Sequence, residues 1–540
     1  MELNLADLYE LVADEVTDAE AMVAGARRLT YGDLDRRADR LAHHLAAAGI
    51  GAGDRVGVQL ANGTEYIEVM LACFKVRAVP INVNYRYVSR ELEYLYNDAG
   101  LVGLVFHSRF APAVTSALGS LAERRAVLEV ADGSPASGVA DDYEEVLGAS
   151  HEGRDFPARS AADIYCVYTG GTTGMPKGVL WRHDDIFFAA MGGGDPFASG
   201  NVITRPEELA ERVLRPGVTA LAIPPFMHAA GHWLAFSTLF GGGKIVTTPG
   251  GRFDPEEVWD LVESERANAV VVVGDAMARP LLDVLAVDPD RWDLSSLMAV
   301  GSGGAVLSPS TKAQLAELLP GRMVADRFGS SETGQVGGEP PVDDPFGPPR
   351  LRVDDRTDVL DDDLVPAVPG SDTVGHLARG GRVPLGYLGD PVATAATFVE
   401  KDGRRWALPG DLATVAVDGT ITVLGRGSLC INTGGEKVYP DEVEAALKGH
   451  PSVADAIVVG VADERFGQRV VALIQPRPGS AVDPDALRAH GHTLLTGYKV
   501  PKEFIFVDEV VRSPSGKPDY PHARAVAEAG GAAHRSDEGG

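Results

Sequence analysis

The sequence predicts an α/β protein: a large N-terminal domain of two doubly wound subdomains plus a small β subdomain, followed by a small mobile α+β C-terminal domain. Three observations carry this. Helical and strand patterns alternate through the first 160 residues, the same rhythm returns around residues 220–328, and past Thr373 helices thin out before a new mixed pattern starts near Ser428.

In chain order, Tyr31–Ala48 puts Leu34, Ala38, Leu41 and Leu45 on one helical face, and Arg55–Leu60 follows a Gly/Asp turn as a strand. Glu65–Lys75 is helical and Ala78–Val83 extended. Strands follow at Ile164–Val167, Ala220–Pro224, Lys244–Thr248, Ala269–Gly274, Leu297–Gly301 and Met323–Phe328, with helices at Pro255–Arg266 and Ser308–Leu319. Short strands separated by Gly and Asp, such as Thr414–Leu424, mark the β subdomain. The last domain reads as helix Asp441–Lys448, strands Ala456–Val461 and Val470–Gln475, and helix Pro484–Leu495. The expected divisions are 1–427, 428–525 and a disordered tail, 526–540, small and polar in composition.

The 540 residues suit three to four domain-sized units. A formal charge of −28 makes the mean field repel phosphate backbones and anionic lipid surfaces, which argues against nucleic acid as a partner. No apolar run reaches membrane-span length, so no stable membrane insertion is expected. The acidic N-terminus lacks a signal peptide's basic and apolar regions. Cys73, Cys166 and Cys430 have no CxxC spacing and read as reduced residues of a cytoplasmic protein.

In so acidic a chain, a phosphate site must supply its own local donors. The segment Tyr168–Gly178 (YTGGTTGMPKG), directly after a strand, brings four glycines, three threonines and a lysine, which offer backbone N–H groups, hydroxyls and one point charge. It is no Walker loop, because Pro176 precedes Lys177 and Gly178 follows it. Alone it would pass equally for a surface connection. Further strings follow in order: Pro224–His228, Gly301–Ala305, Phe328–Thr333, Pro409–Asp411, Gly425–Arg426, Gly434–Pro440 and Ser515–Lys517.

Together these strings resemble the adenylate-forming superfamily of acyl-CoA synthetases, luciferases and peptide-synthetase adenylation domains, over nearly the whole chain. The resemblance implies ATP, Mg2+ and coenzyme A, with Thr169, Gly171, Thr172, Thr173, Gly174 and Lys177 around the phosphates. It places Gly303, Gly304 and Ala305 along the adenine, with Asp326, Phe328 and Gly329 beside it, and Asp411 backed by Arg426 on the ribose. Glu332 is the implied magnesium ligand, a carboxylate suited to a hard cation; Ser331 would bond the α-phosphate. Lys517 is the implied catalytic lysine of the small domain, and Gly434 and Gly435 would line the pantetheine tunnel once that domain swings. His228 stands between acid pocket and tunnel, as a gate or as packing.

For the acid, His228, His232, Trp233, Phe236, Gly301 and Gly337 are the expected pocket residues; Trp233 and Phe236 read equally well as core. Small and aromatic walls favour an apolar acid. Tyr168–His183, Gly274–Leu281, Gly425–Pro440 and Arg512–Tyr520 resemble actinobacterial synthetases acting on steroid side-chain acids, which implies a steroid or terpenoid acid first and a medium- or long-chain fatty acid second. Two positions depart from the pattern: Gly170, where Ser or Thr is common, and Ser428, where the hinge often has Asp or Lys. They leave open an enzyme of the thioester half-reaction alone or a non-catalytic acyl-nucleotide binder; a luciferase-like oxygenase, a carrier-protein acceptor and a homodimer are open as well.

Overall fold

The structure is a computed structural model describing residues 2–169, 175–195, 200–248, 253–305, 307–338, 350–433, 436–463, 466–480, 482–512 and 517–537. Gly170, Gly171, Thr172, Thr173, Gly174, Gly434 and Gly435 lie outside them.

The first sheet is parallel. Arg55–Gln59 lies between Val79–Asn82 and Gly103–His107, and Ala126–Val130 and Asp141–Asp142 continue outward. Helices Tyr31–Ala47, Thr64–Lys75 and Ser89–Ala99 pack around it. Helix Tyr31–Ala47 starts where the Thr30 hydroxyl accepts the Asp33 N–H and the Asp33 carboxylate accepts the Thr30 N–H, a reciprocal cap that fixes the first turn.

The second sheet has a parallel core of Glu20–Ala24, Lys244–Thr247, Thr219–Ala222, Ala269–Val272, Ala299–Gly303 and Met323–Ser330. From Met323–Ser330 onward pairing turns antiparallel, through Gly334–Gly338 and Arg350–Val353 to Ile421–Arg426 and Asp411–Val415. The β subdomain is therefore continuous with the second sheet through strand pairing. Ile164–Thr169 and Lys177–Arg182 form a hairpin with Thr169 opposite Lys177, so the Gly/Thr segment connects two paired strands.

Past Arg426, a single turn, Gly427–Leu429, leads to a second body. There the long hairpin Val453–Asp463 and Gly467–Pro476 is extended along the free side of Gly467–Pro476, by Ile431–Thr433 at its start and by the parallel strand Glu503–Phe506 further on, with helices Pro440–Lys448 and Pro484–Leu494 packed on the sheet. One expectation is corrected. A helix spans Tyr520–Asp537, so helix and not disorder occupies the tail through Asp537; its alanines favour that state, and Tyr520, Ala523 and Ala527 pack it onto the hairpin.

Candidate active site

A cavity of about 770 Å³ opens between the two bodies. One wall is a single face of helix Ala229–Phe240: Ala229, Ala230, Trp233, Leu234, Ser237 and Thr238 follow one another at alternating one- and three-residue steps, the spacing of one helical face. Opposite stand Ala220, Ala269, Val271 and Gly301 from the central strands. The helix has 12 residues, so its face runs for about 18 Å at ~1.5 Å per residue. The lining is mostly aliphatic along this stretch.

The turn that starts that helix is fixed by two side-chain amides, Asn82 buried and Asn62 half-buried. Asn82 accepts the Tyr168 N–H at 2.7 Å and donates to the carbonyls of Tyr168 at 2.9 Å and Met227 at 2.7 Å. Asn62 accepts the Phe226 N–H at 2.7 Å and donates to the Pro224 carbonyl at 3.3 Å. Only glycine fits at 231, where a Cβ would lie 2.5 Å from the Pro225 carbonyl oxygen. His228 then lines the cavity; its Nε2 is buried with no partner among the described residues. Burial first, and the charge of Lys517 second, push its pKa down to about 3, so the ring is neutral at physiological pH.

The two neighbours predicted with Trp233 do not line the cavity. His232, one residue along the helix and so about 100° around it, is buried in the core: its Nδ1 meets the Phe226 carbonyl at 2.7 Å and its Nε2 the Tyr165 hydroxyl. Trp233 donates its indole N–H to that same hydroxyl at 2.9 Å, so His232 steadies the pocket wall through Tyr165. Phe236 is fully buried against Phe74 and Phe240. Gly337 is small for a different reason from the one expected: it pairs with Phe328 across the strands, and a Cβ there would lie 2.4 Å from the Arg352 carbonyl.

At the other end of the cavity, Gly301, Gly303, Gly304, Phe328 and Gly329 line the walls. A Cβ on Gly303 would meet nothing within 4 Å, and Gly304 has φ +89°, the left-handed region glycine favours. This leaves a flat open shelf at the tip of a strand beside an aromatic ring, which suits a planar base. Ala305 closes the turn, its carbonyl accepting the Ser302 hydroxyl at 2.9 Å. Asp326 is turned away: it accepts the Leu307 N–H at 3.1 Å and pairs with Lys312 at 3.1 Å, outside the cavity lining, so its expected place beside the nucleotide is corrected to a buried support.

The turn after Phe328 presents the chemistry. The Ser330 hydroxyl accepts the Glu332 N–H at 3.2 Å, Thr333 is buried beneath, and the Trp181 indole donates to the Ser331 carbonyl at 2.9 Å. Ser331 lines the cavity. Among the described residues Glu332 accepts one neutral hydrogen bond, from the Tyr387 hydroxyl at 3.1 Å, which leaves lone pairs for a hard cation. Asp411 and Arg426 face each other across paired strands, Nε to Oδ1 at 3.3 Å. Asp411 is buried, which raises its pKa despite Arg426.

The second body contributes Lys517. Its surface opens onto the cavity, yet the side chain lies between the bodies, and loss of bulk water there lowers its pKa; Arg426 adds to the fall while Glu332 and Asp411 oppose it. Lys177, also predicted, is paired with Asp390 at 2.9 Å and lies 5.3 Å from the centre of the Tyr387 ring. Thr169 lines the cavity at the foot of the hairpin. Sequence reasoning missed Asn62, Asn82, Trp181, Tyr387 and Asp390; only Asn82 and Asn84, two residues apart in an apolar stretch, or the Tyr387–Asp390 turn, gave any signal.

A large α/β lobe whose open strand ends carry a glycine shelf and carboxylates, with a lysine brought in by a second lobe, belongs to the class of two-lobed nucleotide-handling enzymes. Comparison with known proteins agrees, and the chain belongs to the AMP-binding enzyme family: residues 9–388 match the model of the AMP-binding enzyme and residues 442–517 that of the AMP-binding enzyme C-terminal domain. It is 46% identical over 536 residues to the 3-oxocholest-4-en-26-oate--CoA ligase of Rhodococcus rhodochrous, covering 97% of this chain and 96% of that one. It is 45% identical over 543 residues to the medium/long-chain-fatty-acid--CoA/3-oxocholest-4-en-26-oate--CoA ligase of Mycolicibacterium smegmatis, covering 98% and 97%. Among solved structures, the anthranilate CoA ligase AuaEII in complex with anthranoyl-AMP shares the fold at TM-score 0.85 with 22% identity, covering 98% of each chain.

Proposed function

We propose that this protein is an ATP- and magnesium-dependent acid–thiol ligase that activates a bulky apolar carboxylic acid of the steroid side-chain type as its acyl adenylate and passes the acyl group to coenzyme A. The observation that carries the substrate class is the aliphatic cavity running the length of helix Ala229–Phe240 away from the glycine shelf. A ligand pocket holds roughly 300–1,000 Å³, and this one suits a nucleotide at one end with an extended, water-poor acid along the other. The names of the relatives add support, since both include 3-oxocholest-4-en-26-oate. A medium- or long-chain fatty acid is the second reading, favoured by the same aliphatic run and by the name of the second relative.

In this reading the base lies on Gly303, Gly304 and Ala305 against Phe328 and Gly329, and the Asp411 carboxylate takes the ribose hydroxyls, held in place by Arg426. Thr169 and the Gly171–Gly174 segment donate to the outer phosphates, and Lys177 joins them by exchanging Asp390 for phosphate. Glu332 would hold magnesium, which when bound supplies charge neutralisation across phosphate oxygens. The Ser331 hydroxyl donates to the α-phosphate. Lys517 sets its ammonium between the acid's oxygen and that phosphate, where negative charge builds up as the new P–O bond forms and pyrophosphate leaves. Trp233, Gly301 and neutral His228 bound the acid and keep water from the adenylate. Gly434 and Gly435 would face the thiol in the second half-reaction. Buried, unpaired Cys73 and Cys166 fit a reducing, cytoplasmic setting.

The test is a panel of acids incubated with ATP, magnesium and coenzyme A and read by mass spectrometry. Thioester, AMP and pyrophosphate from a C26-type steroid acid support the reading. Thioester formed only from supplied adenylate would replace it with the partial enzyme left open by Gly170 and Ser428; turnover of neither would leave a binding protein.

A further inference from the structure

Arg279, on helix Gly274–Val287 of the large lobe, is buried, and most of its hydrogen bonds go to the other lobe or to the residues that meet it. Its guanidinium donates to the backbone carbonyls of Lys448 at 3.0 Å, Val453 at 3.1 Å and Ala454 at 2.6 Å. Ser310 at 3.0 Å and Thr311 at 3.2 Å orient it from its own lobe. The Lys448 carbonyl ends helix Pro440–Lys448, where unpaired carbonyls carry partial negative charge, so a cation there is favoured. Beside it, Lys448 reaches back to Asp275 at 3.9 Å.

The next residue after the clamped pair, Asp455, holds Arg512 through two charged hydrogen bonds of 2.6 and 2.7 Å. Arg512 in turn pairs by a β-bridge with Pro518, the residue following Lys517. A continuous path of direct contacts therefore joins the Arg279 guanidinium to the base of the lysine that the second lobe brings to the cavity.

We infer that Arg279 is a positioning residue that docks the small lobe in the arrangement presenting Lys517 to the nucleotide, so that adenylate formation depends on it and thioester formation does not. This rests on the ligase reading above. A planar fork with five donors suits three carbonyls and the three hydroxyls of Ser308, Ser310 and Thr311 at fixed angles, and a lysine ammonium meets that pattern poorly.

The experiment uses full-length Arg279→Met and Arg279→Lys. Loss of Lys517 placement should cost adenylation, read by pyrophosphate exchange, a large share of the roughly 10²–10³ in kcat that such a charge supplies. Thioester formation from supplied acyl adenylate should stay within about three-fold of wild type, and Arg279→Lys should fall between the two. Amide hydrogen exchange supplies a readout independent of turnover: protection should drop at residues 448–455 and at Arg512 and hold in the central strands of the large lobe. Equal loss of both half-reactions, or unchanged exchange at those segments, overturns the inference. Failure of wild-type enzyme to exchange pyrophosphate with any acid would instead overturn the ligase reading, and the exchange pattern would then decide the docking role alone.

Discussion

The molecule sets two lysines near carboxylates, one buried and one open to the cavity, and they differ in what surrounds the charge. Lys75, at the end of helix Thr64–Lys75, is wholly buried with Glu10, Asp35 and Asp39 at 2.6, 2.8 and 2.7 Å, and its pKa is raised because those carboxylates outweigh burial. Lys517 has Glu332 and Asp411 near enough to feel, Arg426 pushing back, and a lowered pKa. The first charge is satisfied by the protein, which makes it structure. The second is left for a ligand's negative charge to complete, which makes it a working group.

Breaking the satisfied cluster should have the largest effect. Lys75→Met leaves three buried carboxylates facing one another and is expected to cost about 3–5 kcal/mol of stability, read from denaturant midpoints, with activity per folded molecule retained. Lys517→Ala should leave the unfolding midpoint in place and lower adenylation by roughly 10²–10³, with thioester formation from supplied adenylate largely spared. Equal behaviour of the two variants would erase the contrast.

Next in size is the pocket. Gly301→Leu fills space opposite helix Ala229–Phe240, where a Cβ would have Val271 at 3.4 Å and the Val270 and Ala325 carbonyl oxygens at 3.9 Å, all ordinary contact distances. It should cut kcat/KM for a steroid acid by about ten-fold or more while a short acid is affected little, the expected signature of a blocked wall. The smallest effect is in pH. Because the Lys517 pKa is lowered, its charged form disappears at a lower pH than that of an ordinary lysine; kcat/KM for ATP, which reports the free enzyme, should fall on the alkaline side as pH rises through that value. Lys517→Arg should remove this limb, since guanidinium holds its proton.

Much of the site was legible because its residues travel in short strings: Gly301–Ala305, Phe328–Thr333 and Asp411 each carry their function within a few positions. What was not legible depends on contacts distant in sequence. Asn82 binds Tyr168 and Met227 across 86 and 145 residues, and Trp181 holds Ser331 across 150. No local pattern announces such pairs. The misplaced pocket residues have the opposite cause. Helix Ala229–Phe240 is apolar on nearly every side, so composition cannot tell the cavity face of Trp233 from the core faces of His232 and Phe236. Likewise glycine at 337 answers to a neighbouring strand, a reason sequence alone cannot separate from room for a substrate. The fold was readable further because alternation of strand and helix is periodic; helices Leu5–Glu15 and Ser89–Ala99 and strand Glu503–Phe506 went unread all the same, and the small, polar composition of the tail hid helix Tyr520–Asp537.

The most direct test is a crystal structure grown with ATP, magnesium and a non-reactive acid analogue. The account predicts the base between Gly303–Gly304 and Phe328, the ribose on Asp411, the metal on Glu332 and the Lys517 ammonium in contact with the α-phosphate. A nucleotide bound elsewhere, or Lys517 remote from it while the lobes keep the docking seen here, would contradict it.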